Sequence, residues 1–148
     1  IINKEKKYLF NYETYTNFNK YLNQIKLNIH SLLKSYNDKI VVFGASVAST
    51  TIIKKFNLEK KIDYFIDDNR LMYSKFNPLN KRPVYSPTKF FNDTKNNTLM
   101  IIAIRYTDMI INKYKKQFKK KNIIRIFPKV KLIKIDNKIK RIKSNELI

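Results

Sequence analysis

Lys39-Ile-Val-Val-Phe43 runs straight into Gly44-Ala45-Ser46, then into Val47-Ala-Ser-Thr-Thr-Ile-Ile-Lys-Lys-Phe56, and after a short connection into Ile62-Asp-Tyr-Phe-Ile-Asp-Asp-Asn69. Four consecutive apolar residues at 40–43, rich in branched side chains, suit a strand buried on both faces, as in a parallel sheet. Gly44 is the only glycine of the chain, and it stands where a strand must turn sharply into a helix. Residues 47–56 can form that helix with Val47, Ile52, Ile53 and Phe56 turned inward. Residues 62–66 then make a second strand. The crossover between parallel strands is right-handed, so both strand ends point to one edge. Asp67 follows Gly44 by 23 residues, close to the roughly 20 at which an acid takes a ribose hydroxyl. The order is that of a βαβ unit for a nucleotide-like ligand.

The fingerprint departs from a dinucleotide site in two places. Gly-x-Gly-x-x-Gly reads here as Gly44-Ala-Ser46-Val-Ala-Ser49. The second glycine of that motif lets the backbone approach a pyrophosphate and the third lets helix and strand pack closely. Serines stand at both.

Upstream, Phe18, Leu22, Ile25, Ile29, Leu32, Leu33 and Tyr36 recur at helical spacing. Thr16 is placed to cap this helix and Asn37-Asp38 to end it. Residues 1–16 read as an irregular lead-in. His30, beside the apolar stripe, reads as a core-edge histidine. Downstream, residues 67–81 lose periodicity, with a loop at Asn77-Pro78-Leu-Asn80. Arg82-Pro-Val-Tyr85 is short and extended, and Ser86-Pro87 opens a short helix with serine as cap and proline at its first position. Residues 98–104 (Thr-Leu-Met-Ile-Ile-Ala-Ile) carry the strongest strand signal. Thr107 and Asp108 start a helix with apolar positions Met109, Ile110, Tyr114 and Phe118. Residues 122–127 are a further strand, stopped by Pro128. Alternating helices and buried strands over 17–128 specify an α/β fold, a three-layer Rossmann-like doubly wound sheet, mainly parallel, with a leading helix. Residues 129–148 read as a basic tail or an edge hairpin turning at Asp136-Asn137.

The 148 residues hold one domain's worth of core, with 43% hydrophobic side chains. The chain has no cysteine and one histidine, which excludes disulfides, thiolate metal sites and cysteine nucleophiles. No apolar run reaches the roughly 18 residues of a membrane span, and no signal peptide is visible, so the expected compartment is cytoplasmic. Ile1 in place of methionine suggests a segment of something longer. The net charge of +21 invites a nucleic-acid or acidic partner, through the Lys-rich stretch 113–143. Lysine, however, supplies 27 of the 32 basic residues, and only five arginines are present. Base-reading surfaces favour arginine for bidentate contacts, so codon bias towards Lys, Asn and Ile, with solvated lysines, is the favoured explanation of the excess over a polyanion-binding surface.

Ligands of open parallel sheets sit beyond the carboxyl ends of strands where the order reverses. With residues 40–43 central, and 62–66 and 98–104 on either side, the candidate binding residues are Gly44, Ala45, Ser46, Asp67, Asp68, Asn69, Arg105 and Tyr106. The start of the helix at Val47 offers unpaired N–H groups to an anion. A simple tight turn at Gly44 and a solvated strand end at Asp67-Asp68 are the structural alternatives. No nucleophile–base pair and no metal set can be assembled, so the residues indicate binding rather than catalysis.

Phe43-Gly-Ala-Ser46-Val-Ala-Ser-Thr-Thr51, Ile62-Asp-Tyr-Phe-Ile-Asp-Asp-Asn69, Arg82-Pro-Val-Tyr-Ser-Pro87 and the strand running into Arg105-Tyr106, in that order, resemble the C-terminal domain of SAM-dependent C-methyltransferases acting on nucleotide-linked deoxysugars. The resemblance spans roughly residues 18–130. Against the family pattern Gly-Ala-Ser-Ala-Lys-Gly-Asn-Thr, the lysine falls on Ala48 and the glycine on Ser49. The family's Asn-Pro is Asn69-Arg70, and its Pro-Gly is Pro78-Leu79. The resemblance implies a Rossmann-like domain that binds no dinucleotide and helps form the sugar-nucleotide cleft. SAM and zinc would belong to domains upstream or in a partner, with no cofactor held here. A similar pattern occurs in small Rossmann-like domains of polysaccharide biosynthesis, which leaves a stand-alone nucleotide-sugar binder as the alternative.

Overall fold

The computed structural model describes residues 11–36 and 39–135. Helix α1 (Tyr12–Lys34) leads, followed by β1 (Ile40–Phe43), α2 (Val47–Phe56), β2 (Ile62–Ile66), β3 (Val84–Tyr85), α3 (Pro87–Phe91), β4 (Thr98–Ile101), α4 (Thr107–Lys113), β5 (Asn122–Arg125) and β6 (Lys131–Lys134). One six-stranded sheet has the order β3-β2-β1-β4-β5-β6. Every pairing is parallel except β5 with β6. This is the expected Rossmann-like α/β architecture, with β1 central and β2 and β4 on either side.

The period of two along each strand divides the core. On one face Ile40, Val42 and Phe65 pack under α1 (Ile25, Ile29, Leu33) and α2 (Ile53, Phe56). On the other, Val41, Phe43, Tyr64 and Ile66 pack under α3 (Phe90) and α4 (Ile110). The result is three layers, which is why β1 reads as an unbroken apolar run. His30 ties the two helices of the first layer, its Nε2 lying 2.7 Å from the carbonyl oxygen of Phe56 at the end of α2.

Several local expectations are corrected, among them the strand expected over 122–127, which ends at Arg125. The cap of α1 is Asn11, whose side chain accepts the N–H of Glu13 at 2.9 Å. Thr16 lies inside the helix, where its hydroxyl donates to the Tyr12 carbonyl at 3.1 Å. Phe18 is 56% exposed rather than inward. A 23-residue helix is about 35 Å long, whereas strands of four or five residues span about 13–17 Å, so the stripe overruns the sheet. In α2, Val47 is exposed at the rim, and Ser49 takes the inward position beside Ile53 and Phe56. The strand expected over 98–104 stops at Ile101. The Ile102 N–H still bonds the Phe43 carbonyl at 3.0 Å, but Ile104–Tyr106 is a 3-10 turn that exposes Ile104. In α4, Ile110 is buried but Met109 is exposed, and Tyr114 and Phe118 come after the helix has ended.

At the far edge, Lys131–Lys134 pairs antiparallel with β5, so that stretch is the sixth strand of the sheet. The turn expected at Asp136-Asn137, the strand after it and the turn at Asn37-Asp38 lie outside the described residues. Among those described, no helix is long and apolar enough to cross a membrane.

Candidate functional site

A cleft of about 570 Å³ opens where β1 and β4 end, at the point from which the strand order runs outward in both directions. Of the eight candidate residues, Gly44, Ser46, Asp67, Asp68, Arg105 and Tyr106 line it. Ala45 is buried, and Ala45 and Asn69 lie outside that lining.

Gly44 is there for two separate reasons. Its φ of 110° lies in the region that L side chains rarely adopt. A Cβ would also lie 3.3 Å from the backbone nitrogen of Ala103 and 3.3 Å from Ser49 Oγ. Its N–H bonds the Ile66 carbonyl at 2.9 Å, which carries the β1–β2 ladder into the turn. The two serines that replace the fingerprint glycines meet each other. Ser46 Oγ caps α2 by accepting the Ser49 N–H at 3.3 Å and lies 3.1 Å from Ser49 Oγ. Ser49 is 2% exposed, so this pair satisfies a hydroxyl that burial would otherwise penalise. The first N–H groups of α2, including that of Ala48 in the cleft lining, lack intrahelical acceptors.

The adjacent acids do different work. Beyond the last residue of β2 the alternation continues, sending Asp67 to the α2 side and Asp68 to the α4 side. Asp67 accepts the N–H of Ala45 at 2.8 Å through one oxygen and that of Asn69 at 2.9 Å through the other. It therefore joins the end of β2 to the first βα turn. Asn69 in turn accepts the Leu71 N–H at 3.0 Å, opening the 3-10 turn Arg70–Met72. Asp68 is held by Lys113 Nζ at 2.8 Å and by the Tyr114 hydroxyl. The hydrogen bonds to Asp68 and Tyr114 raise the Lys113 pKa above its ordinary value. Burial raises that of Tyr114, and the bond to Asp68 adds to it. Lys113 and Tyr114 carry no sequence signal for this role, because 45 and 46 residues separate them from Asp68.

Arg105 and Tyr106 sit on the turn Ile104–Tyr106, both exposed and lining the cleft. Thr107 fixes the turn from beneath: it is buried, and its hydroxyl reaches the carbonyls of Ala103 at 3.3 Å and Ile104 at 3.1 Å. Ile52, Met109 and Ile110 add an apolar wall. The lining thus combines two carboxylates, a guanidinium, a phenol, a helix start and apolar surface.

No curated protein sequence matches the chain. A family model described as the C-methyltransferase C-terminal domain matches residues 1–128. The match takes in the leading helix, the turn at Gly44, the acids after β2 and the Arg105–Tyr106 turn, and it ends at Pro128, between β5 and β6. With the whole cleft inside that span, the chain belongs to the C-methyltransferase C-terminal domain family.

Proposed function

We propose that this domain holds a nucleotide-linked sugar in the β1–β4 cleft and presents it to a SAM-dependent methyltransferase domain, upstream in the same polypeptide or in a partner. The observation that carries the reading is the pair Arg105 and Tyr106, exposed at a cleft of about 570 Å³ on the switch point of the sheet. That volume falls in the range of roughly 300–1,000 Å³ of small-molecule sites. Arg105 supplies charge-assisted hydrogen bonds to a diphosphate, beside the start of α2. Tyr106 supplies a ring face for a base or sugar. Asp67, with an N–H on each oxygen, builds the turn; a sugar hydroxyl could reach only its remaining lone pairs.

Calorimetric and thermal-shift titration with UDP-glucose and dTDP-glucose tests this. Both are expected to stabilise the protein, and Arg105→Ala should weaken binding by about tenfold or more, the worth of a hydrogen bond to a charged group. Arg105 is exposed, so that variant keeps the fold. Asp67→Ala is a poor probe because it strips an acceptor from the turn itself. No stabilisation at millimolar nucleotide-sugar, or equal affinity for Arg105→Ala, would sink the reading.

A further inference from the structure

Helix α4 is fastened at both ends by ion pairs whose signs suit the helix dipole. Asp108, in its first turn, pairs with Arg125 at the end of β5. Lys113, in its last turn, pairs with Asp68 just beyond β2 at 2.8 Å. The helix therefore crosses the carboxyl edge from the β5 side to the β2 side, and its Met109 and Ile110 form part of the cleft wall. Tyr114 completes the second fastening. Its ring packs on Phe43, Phe91 and Phe118 with centroids 6.0, 5.1 and 5.9 Å away, and its hydroxyl donates to the other oxygen of Asp68.

The charges lining the cleft give this clamp a consequence for the ligand. Among the lining side chains two carboxylates, Asp67 and Asp68, stand against one guanidinium, Arg105, so the cleft wall itself carries a local excess of negative charge within a chain of formal +21. Asp67 is tied to backbone N–H groups at the first βα turn. Asp68 is answered by an ammonium and a phenol, and its side chain is only 32% exposed. We propose that Lys113, with Tyr114, decides the sign of ligand charge the cleft accepts: the clamp cancels and immobilises Asp68, so that Arg105 can draw in a phosphate-bearing ligand. The inference rests on the cleft being the binding site, and it adds residues that need not touch the ligand.

The test uses inorganic pyrophosphate and UDP as probes, titrated calorimetrically into the full chain. Lys113→Met, which bares the carboxylate, should weaken both by about five- to tenfold through like-charge repulsion. Lys113→Arg should bind as the parent does. The decisive variant is the double substitution Asp68→Asn with Lys113→Met. It has no ion pair, yet an amide at 68 still accepts from Tyr114 and carries no charge, so affinity should return to within about twofold of the parent. A clamp that acts only as a scaffold gives the reverse, with the double variant as weak as Lys113→Met or weaker. That result, an unchanged affinity in Lys113→Met, or no binding of either probe would overturn the inference. If pyrophosphate binds and responds as described while nucleotide-sugars fail to bind, only the sugar-nucleotide reading falls. If nucleotide-sugars bind but ignore both variants, only this inference falls.

Discussion

Gly44 concentrates in one residue what the first βα turn requires. Any L residue at φ 110° is strained by about 1–3 kcal/mol, and a methyl there would press on the Ala103 backbone and Ser49 Oγ, both at 3.3 Å. Gly44→Ala should therefore cost about 2 kcal/mol or more, read as a lower urea midpoint with an unchanged slope. Equal midpoints would show that the turn relaxes freely. Gly44 could be picked out from the sequence because it is the single glycine and follows an apolar run. The division between Asp67 and Asp68 was equally implicit in strand alternation, yet as adjacent acids they read as one feature. Their partners explain why: Ala45 is a backbone donor, invisible in any side-chain pattern, and Lys113 and Tyr114 lie across the domain.

Elements were legible in their middles and obscure at their ends. Ile25, Ile29 and Leu33 fix the face of α1, but its start depends on one side chain, Asn11, whose bond to the Glu13 N–H looks no different in sequence from what Thr16 could make. Asn11→Ala should remove about 1 kcal/mol of capping. Tyr12 and Tyr15 are exposed, so the loss stays local: amide hydrogen exchange over residues 13–16 should quicken about fivefold while global melting holds. Thr16→Ala should leave exchange there nearly unchanged, because a mid-helix threonine bonding back to residue 12 adds little. Equal effects from the two substitutions would contradict the assignment of the cap. The end of β4 was hidden for another reason. Ile102 remains buried and hydrogen-bonded after the strand has finished, so hydrophobicity continues while the backbone is already turning towards Arg105.

For the whole molecule the dominant quantity is the charge. The central place of β1 between β2 and β4 followed from continuous apolar runs and right-handed crossovers, neither of which depends on surface lysines. A formal +21 can thus ride on an ordinary Rossmann-like core, at the expense of self-repulsion in the compact state. Among the described residues the ion pairs are Lys54–Glu59, Lys113–Asp68 and Arg125–Asp108, and the first is exposed on its lysine side and long at 3.6 Å. Salt weakens these attractions, but it also screens the far more numerous lysine–lysine repulsions. The screening length falls from roughly 10 Å at 0.1 M to 3 Å at 1 M. Repulsion should win, so the melting temperature should rise with sodium chloride from about 20 to 500 mM. A gain of about 1 kcal/mol corresponds to roughly 2–4 °C for a chain of this size. The rise should level off once the screening length drops below the spacing of neighbouring lysines. A melting temperature that falls over the same range would mean that the few ion pairs, those anchoring α4 above all, outweigh the repulsion of the surface.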